Sequence, residues 1–142
     1  MVLWSIEVFS DSNGYSPFTN WLEKDLRPVE VEALDTAIQK VLTPNGNSLA
    51  STKWLTPLGR GLYEFRFSHT ADEIEGFYSQ KEIGKGKKHQ KILLRVFVHF
   101  YGKKVVLILG GYNKGAHDQT RYQQEQISQA RKLLKEWKAY KD

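Results

Sequence analysis

Cysteine is absent from this chain, which removes disulfides and thiolate metal sites and suits a reducing compartment. Histidine is scarce. His69, His89, His99 and His117 are scattered, without the close spacing of a zinc site, so no metal and no cofactor are expected. No apolar run approaches the roughly 20 residues of a membrane helix, and the first residues lack a basic-then-apolar leader. A cytoplasmic chain with no membrane partner is therefore expected. Acidic residues are outnumbered: 16 Asp and Glu face 21 Lys and Arg, for a net charge of +5. That balance favours an acidic partner, either nucleic acid or an acidic protein surface.

What is present is a core. Of 142 residues, 40% are hydrophobic, with four Trp, seven Tyr and seven Phe, enough for one folded domain spanning 1–142. The positive charge is concentrated. Between Lys81 and Lys104 eight basic residues stand against Glu82 alone, a local excess of seven that exceeds the whole-chain value. Within it, Lys85, Lys87 and Lys88 belong to a glycine-containing stretch, an extended basic loop at about 68–91. Its lysines read either as phosphate contacts or as a solvated loop.

Along the chain, Val2 to Phe9 reads as a strand ended by the turn cluster Asp11-Ser12-Asn13-Gly14. Ser16-Pro17 is an N-cap followed by proline in the first turn, and Phe18, Trp21, Leu22 and Leu26 form one helical stripe. Pro28 starts a second helix with the stripe Val31, Leu34, Ile38, Val41 and Leu42, stopped by Pro44-Asn45-Gly46. Asn47 to Gly59 reads as a polar connection anchored by Trp54, Leu55 and Leu58. Leu62 to Phe67 is a strand, and Ser68 to Lys91 reads as either continued strand or short helix. A β-hairpin follows from Ile92 to Asn113, turning at Tyr101-Gly102-Lys103-Lys104. The last helix begins near Asp118 or Thr120 with the stripe Ile127, Ala130, Leu134 and Trp137. The expected class is α+β: a curved antiparallel sheet with an N-terminal helical hairpin on one face and a C-terminal helix, in the order β-α-α-β-β-β-α.

The strands separate two kinds of side chain, because successive residues point to opposite faces. Ile92, Leu94, Val96, Val98 and Phe100 share one face; Leu93, Arg95, Phe97, His99 and Tyr101 share the other. Likewise Leu62, Glu64 and Arg66 oppose Tyr63, Phe65 and Phe67. One face is apolar, and the other presents Arg66 and Arg95.

The runs GLYEFR (Gly61 to Arg66) and LLRVFVHFYGKKVVLILGGYNK (Leu93 to Lys114), followed by Glu125, Ile127 and Ala130 on a helix, resemble the RelE/ParE toxin superfamily. The nearest branch is its HigB-like, phage-associated members. The resemblance implies a RelE-like fold and the toxin of a type II toxin–antitoxin system, whose partners are a cognate antitoxin, the ribosome and mRNA. The implied activity is metal-independent, ribosome-dependent mRNA cleavage (an mRNA interferase). Arg66, Arg95 and Lys114 match the family pattern, whereas Gly115 stands where a second lysine is usual. The alternatives are a ParE-like, non-enzymatic inhibitor of DNA gyrase or an inactive binding module of a mobile element.

Cleavage of RNA without metal requires a deprotonated 2′-hydroxyl, a protonated 5′-oxygen and stabilisation of the phosphorane. Arginine serves the last need through its planar, always charged fork. Arg66 and Arg95 are the candidates, against a structural role in which either pairs with Glu64. His117, close to Lys114 and Arg121 in a Lys-x-x-His-x-x-x-Arg cluster, is the candidate proton-transfer group, since histidine is the side chain that changes charge near neutral pH. The same segment reads alternatively as a helix cap. His99, on the Arg95 face, reads as a second proton-transfer candidate or as an edge histidine bonded to a neighbour. It lies four residues from Arg95, roughly 13 Å along a strand. Tyr101 and Tyr112 are candidates for stacking on a base or donating a proton, and Lys104 and Arg121 for phosphate contacts.

Overall fold

The computed structural model describes residues 2–70 and 91–141. The class is α+β, with a five-stranded sheet between two helical layers. Strand β1 (Ser5–Val8) leads through a turn to helix α1 (Pro17–Lys24). Ser16 caps α1 as its sequence suggests, its Oγ accepting from the Thr19 amide at 3.2 Å. Helix α2 (Pro28–Ala37) continues through a π-turn (Ile38–Leu42) and a single α-turn, α3 (Thr43–Asn45), before a 3-10 segment at Gly46–Ser51. Strands β2 (Leu55–Gly59), β3 (Leu62–Thr70), β4 (Lys91–Tyr101) and β5 (Val105–Asn113) follow, and helix α4 (Thr120–Lys141) closes the chain.

Two expectations are corrected. The sheet is mixed, in the order β1-β5-β4-β3-β2, with β1 running parallel to β5. Antiparallel pairing follows from short connections, whereas the chain leaves β1 into a helical hairpin and only returns to the sheet at its opposite edge. Six of the nine residues of β5 are buried, and β1 covers the side of β5 away from β4. The second correction is β2, a fifth strand inside the segment read as a connection. Pro57 argues against a strand by local signal, and β2 tolerates it because it is the edge of the sheet. Leu55 is buried and pairs with Phe65.

The alternation of apolar residues holds, and it separates two cores. Phe65, Phe67, Leu94, Val96 and Val98 pack beneath the N-terminal helices with Phe18, Trp21, Leu34 and Leu42. Leu62, Phe97, Leu107, Leu109 and Tyr112 pack beneath α4 through Ala130 and Leu134. The face expected to be open is therefore largely roofed by α4. A buried carboxylate fastens the hairpin to the sheet: Glu30 accepts from the Arg27 amide at 2.8 Å and from Asn113 Nδ2 at 3.2 Å. No helix among the described residues is long and apolar enough to cross a membrane.

Candidate functional site

The antiparallel register of β3 and β4 sets Arg66 directly opposite Arg95, and that of β4 and β5 sets Arg95 opposite Tyr112. Three chemically active side chains thus form one row across three strands on the α4 side. Like charges directly opposite each other across a sheet are destabilising unless something intervenes. Glu64, two residues before Arg66 on the same face, does so. Its Oε1 lies 3.4 Å from Arg66 Nε and 3.8 Å from Arg95 Nε, and its Oε2 accepts from Gln123 Nε2 at 3.4 Å.

The two arginines differ in access. The Arg66 side chain is 37% exposed and that of Arg95 only 6%. Arg95 donates to the carbonyls of Leu94 at 3.2 Å and Phe67 at 3.4 Å. Burial lowers its pKa, the neighbouring Arg66 guanidinium lowers it further, and Glu64 opposes both. Arg66 reaches Thr56 Oγ1 at 3.4 Å. Arg66 is therefore the cation a ligand meets, with Arg95 a second positive charge beneath it. Among the described residues, one carboxylate between two guanidiniums leaves one positive charge uncompensated.

The polar geometry is unsaturated. Among the described residues, neither Nε atom is aligned for a hydrogen bond despite its proximity to Glu64, and the buried Tyr112 hydroxyl has no partner. Burial, followed by the Glu64 charge, pushes the Tyr112 pKa up to about 12. At neutral pH Tyr112 is consequently a proton donor and not a base.

An aromatic series leads from this row to the surface. Tyr112 packs on Tyr122 of α4 at 5.6 Å between ring centroids, and Tyr122 stacks on His117 at 4.1 Å. His117 is exposed on the rim, and Lys114, half-buried, follows β5 directly. Arg121 is exposed and paired with Glu125 at 3.6 Å one helical turn away, as a solvated helix pair would be.

Tyr101 and Lys104 lie elsewhere. Tyr101 is six residues beyond Arg95 on β4, roughly 20 Å along the strand. Its hydroxyl donates to Glu7, which pushes its pKa up to about 12. Lys104 occupies the hairpin turn at the same end, with φ of 61° and its carbonyl accepting from Ser5. His99 is likewise committed, with Nδ1 2.8 Å from the Gly61 carbonyl oxygen. Lys85, Lys87 and Lys88 fall outside the described residues, as does the basic loop apart from its strand ends.

A separate basic groove of about 290 Å³ lies where the β2–β3 turn meets α4, lined by Arg60, Arg131, Lys135 and Lys138. Arg131 is fixed there by the carbonyls of Leu58 at 2.6 Å and Gly59 at 3.1 Å. Sequence reasoning missed this groove, and it missed Tyr122 and Gln123 as neighbours of the arginine row. The periodicity of α4 placed Arg131 and Lys135 outward, but only the tertiary position of Arg60 turns them into a cluster. Among the described residues no group of three or more His, Cys, Asp or Glu side chains is placed to hold a metal ion. No protein-family model matches this sequence, and no curated protein shows significant similarity to it.

Proposed function

We propose that this chain is the toxin of a type II toxin–antitoxin pair with a RelE-like fold, and that it cleaves mRNA on the ribosome. The observation that carries this reading is the cross-strand Arg66–Arg95 pair sharing the single carboxylate of Glu64. An exposed guanidinium backed by a buried one suits a phosphate that gains negative charge as a phosphorane forms. Preorganised donors at developing charge contribute about 3–4 kcal/mol.

In this mechanism Arg66 holds the scissile phosphate and orients the 2′-hydroxyl in line with the 5′-oxygen. Arg95 raises the local potential without needing to touch the substrate. The protonated Tyr112 and the rim residue His117 are the proton-transfer groups of this reading. The basic groove at Arg60, Arg131, Lys135 and Lys138 supplies further cations for a polyanion backbone. An α+β chain with a C-terminal helix packed on a five-stranded sheet supports this reading. A cytoplasmic location and an antitoxin partner belong to the same proposal.

The test is expression from a tightly controlled promoter in a bacterial host, with 5′-end mapping of messages. Growth arrest with new ends inside translated messages is expected, and Arg66→Ala should abolish both. Growth arrest with intact messages would overturn the nuclease reading and favour an inhibitor of DNA gyrase. No arrest from soluble protein would favour a binding module.

A further inference from the structure

Beside the arginine row a cavity of about 170 Å³ opens between α1, the end of β5 and α4. Its origin is local. Val98 of β4 stands opposite Ile108 of β5, while Phe97 stands opposite Gly110, so Leu109 is an inserted residue. A bulge of this kind turns two successive residues toward the same face. Leu109 fills its share of the α4 side, whereas Gly110 leaves its share empty: a Cβ at Gly110 would meet no atom within 4 Å. Gly111 acts in the opposite sense. A Cβ there would lie 2.6 Å from the Trp21 ring and 2.7 Å from the Arg95 carbonyl oxygen, so this glycine lets α1 approach the sheet. Pairing with β1 ends at Ile108, which leaves this part of β5 at an edge among the described residues.

The walls are aromatic and amide. Trp21, Phe97 and Tyr122 supply rings, and Asn20, Gln126 and Gln129 supply side-chain amides. None of these amides makes a hydrogen bond with another described residue, so each offers both donor and acceptor. Among the described residues no lysine or arginine lines the cavity, and Asp25 does, which makes it unsuited to phosphate.

We propose that this cavity binds a nucleobase. A base presents flat π-faces and an edge of alternating donors and acceptors, the two features that aromatic walls and amides recognise. The placement also fits a nucleotide. Phe97 is two residues from Arg95 on the same face of β4, roughly 7 Å along the strand. Tyr122 borders the cavity on one side and packs on Tyr112 on the other. A nucleotide with its base in the cavity therefore directs its phosphate toward the arginine row. That link to cleavage rests on the RNA reading above, whereas base binding does not.

The test uses adenosine, guanosine, cytidine and uridine, which carry no phosphate, titrated into the full chain and followed by amide NMR. At least one nucleoside should produce saturable shifts at Gly110, Gly111 and the side-chain amides of Asn20, Gln126 and Gln129. Gly110→Leu fills the open space and should weaken binding about tenfold, the scale of one base stack. If Gly110→Leu does not fold, Tyr122→Ala removes the stacking surface and should give the same loss, while Lys132→Ala on the same helix should not. No saturable shift with any nucleoside, or unchanged affinity in a folded Gly110→Leu or Tyr122→Ala variant, would overturn the proposal. Nucleoside binding together with intact messages in the expression assay would retain the base site and remove cleavage alone.

Discussion

Replacing Glu64 with Gln removes the only carboxylate that the described residues place between two guanidiniums, while keeping its size. Glu64 is 1% exposed, so its charge is retained in the fold by Arg66 and Arg95 and not by water. At 3.4 Å and an effective dielectric near 20 the gross attraction to one guanidinium is about 5 kcal/mol. Most of that offsets desolvation, and the relevant quantity is the charge left behind. Removing one member of a buried ion pair costs about 3–5 kcal/mol. The lower end applies here, because Arg66 is more than one-third exposed and is screened by water. For a chain of this size about 3 kcal/mol lowers the melting temperature by about 10 °C. Inorganic phosphate restores the missing negative charge, so it should raise the melting temperature of Glu64→Gln more than that of the parent. Adding Arg95→Met removes the stranded buried cation and should recover most of the loss. Thermal melts followed by circular dichroism, with and without phosphate, measure all three effects. A drop below about 3 °C for Glu64→Gln, or a double variant no more stable than the single, would refute the idea that this carboxylate holds two cations together.

Arg66→Ala should lower message cleavage by about 10²–10³-fold while changing stability by less than about 1 kcal/mol, because its side chain is partly solvated. Primer extension and chemical denaturation read the two quantities, and a large stability loss with cleavage intact would assign Arg66 to the fold. The Tyr112 pKa lies above its ordinary value of 10, at about 12. The neutral phenol therefore contributes stability that is present below pH 10 and lost as pH rises from about 10 to 12. Alkaline titration of phenolate absorbance should show Tyr112 among the last tyrosines to ionise, with that late component reduced in Tyr112→Phe. Ionisation of Tyr112 near pH 10 would contradict its burial. Gly111→Ala places a methyl against Trp21 and should cost about 1–3 kcal/mol, whereas Gly110→Ala enters open space and should cost under about 1 kcal/mol. Urea denaturation compares them, and equal costs would deny the asymmetry of the two glycines.

Much of this site was legible in the chain. Period-2 alternation in β3 and β4 places Arg66, Glu64 and Arg95 on one face, and the stripes of α1, α2 and α4 follow from the 3.6-residue repeat. A pairing of either arginine with Glu64 stood as the structural alternative to a catalytic role. The alternation did not predict that both would pair with it, because that depends on the register that sets Arg66 opposite Arg95. Tyr101 looked equivalent to Tyr112 in local pattern, yet β4 carries it to the far end of the sheet. β2 was hidden by Pro57, whose cost vanishes only at an edge.

Local pattern by itself determined the α+β class, the positions of the helices and the polarity of each strand face, since these depend on neighbours within one or two turns. Tertiary structure decided the parallel entry of β1, the bulge at Leu109 and the cavity at Gly110. It also decided the convergence of Arg60 with Arg131 and the single carboxylate shared by two arginines. Each of these is a contact between residues far apart in the chain, where strand pairing and helix docking set the geometry and no short-range repeat records it.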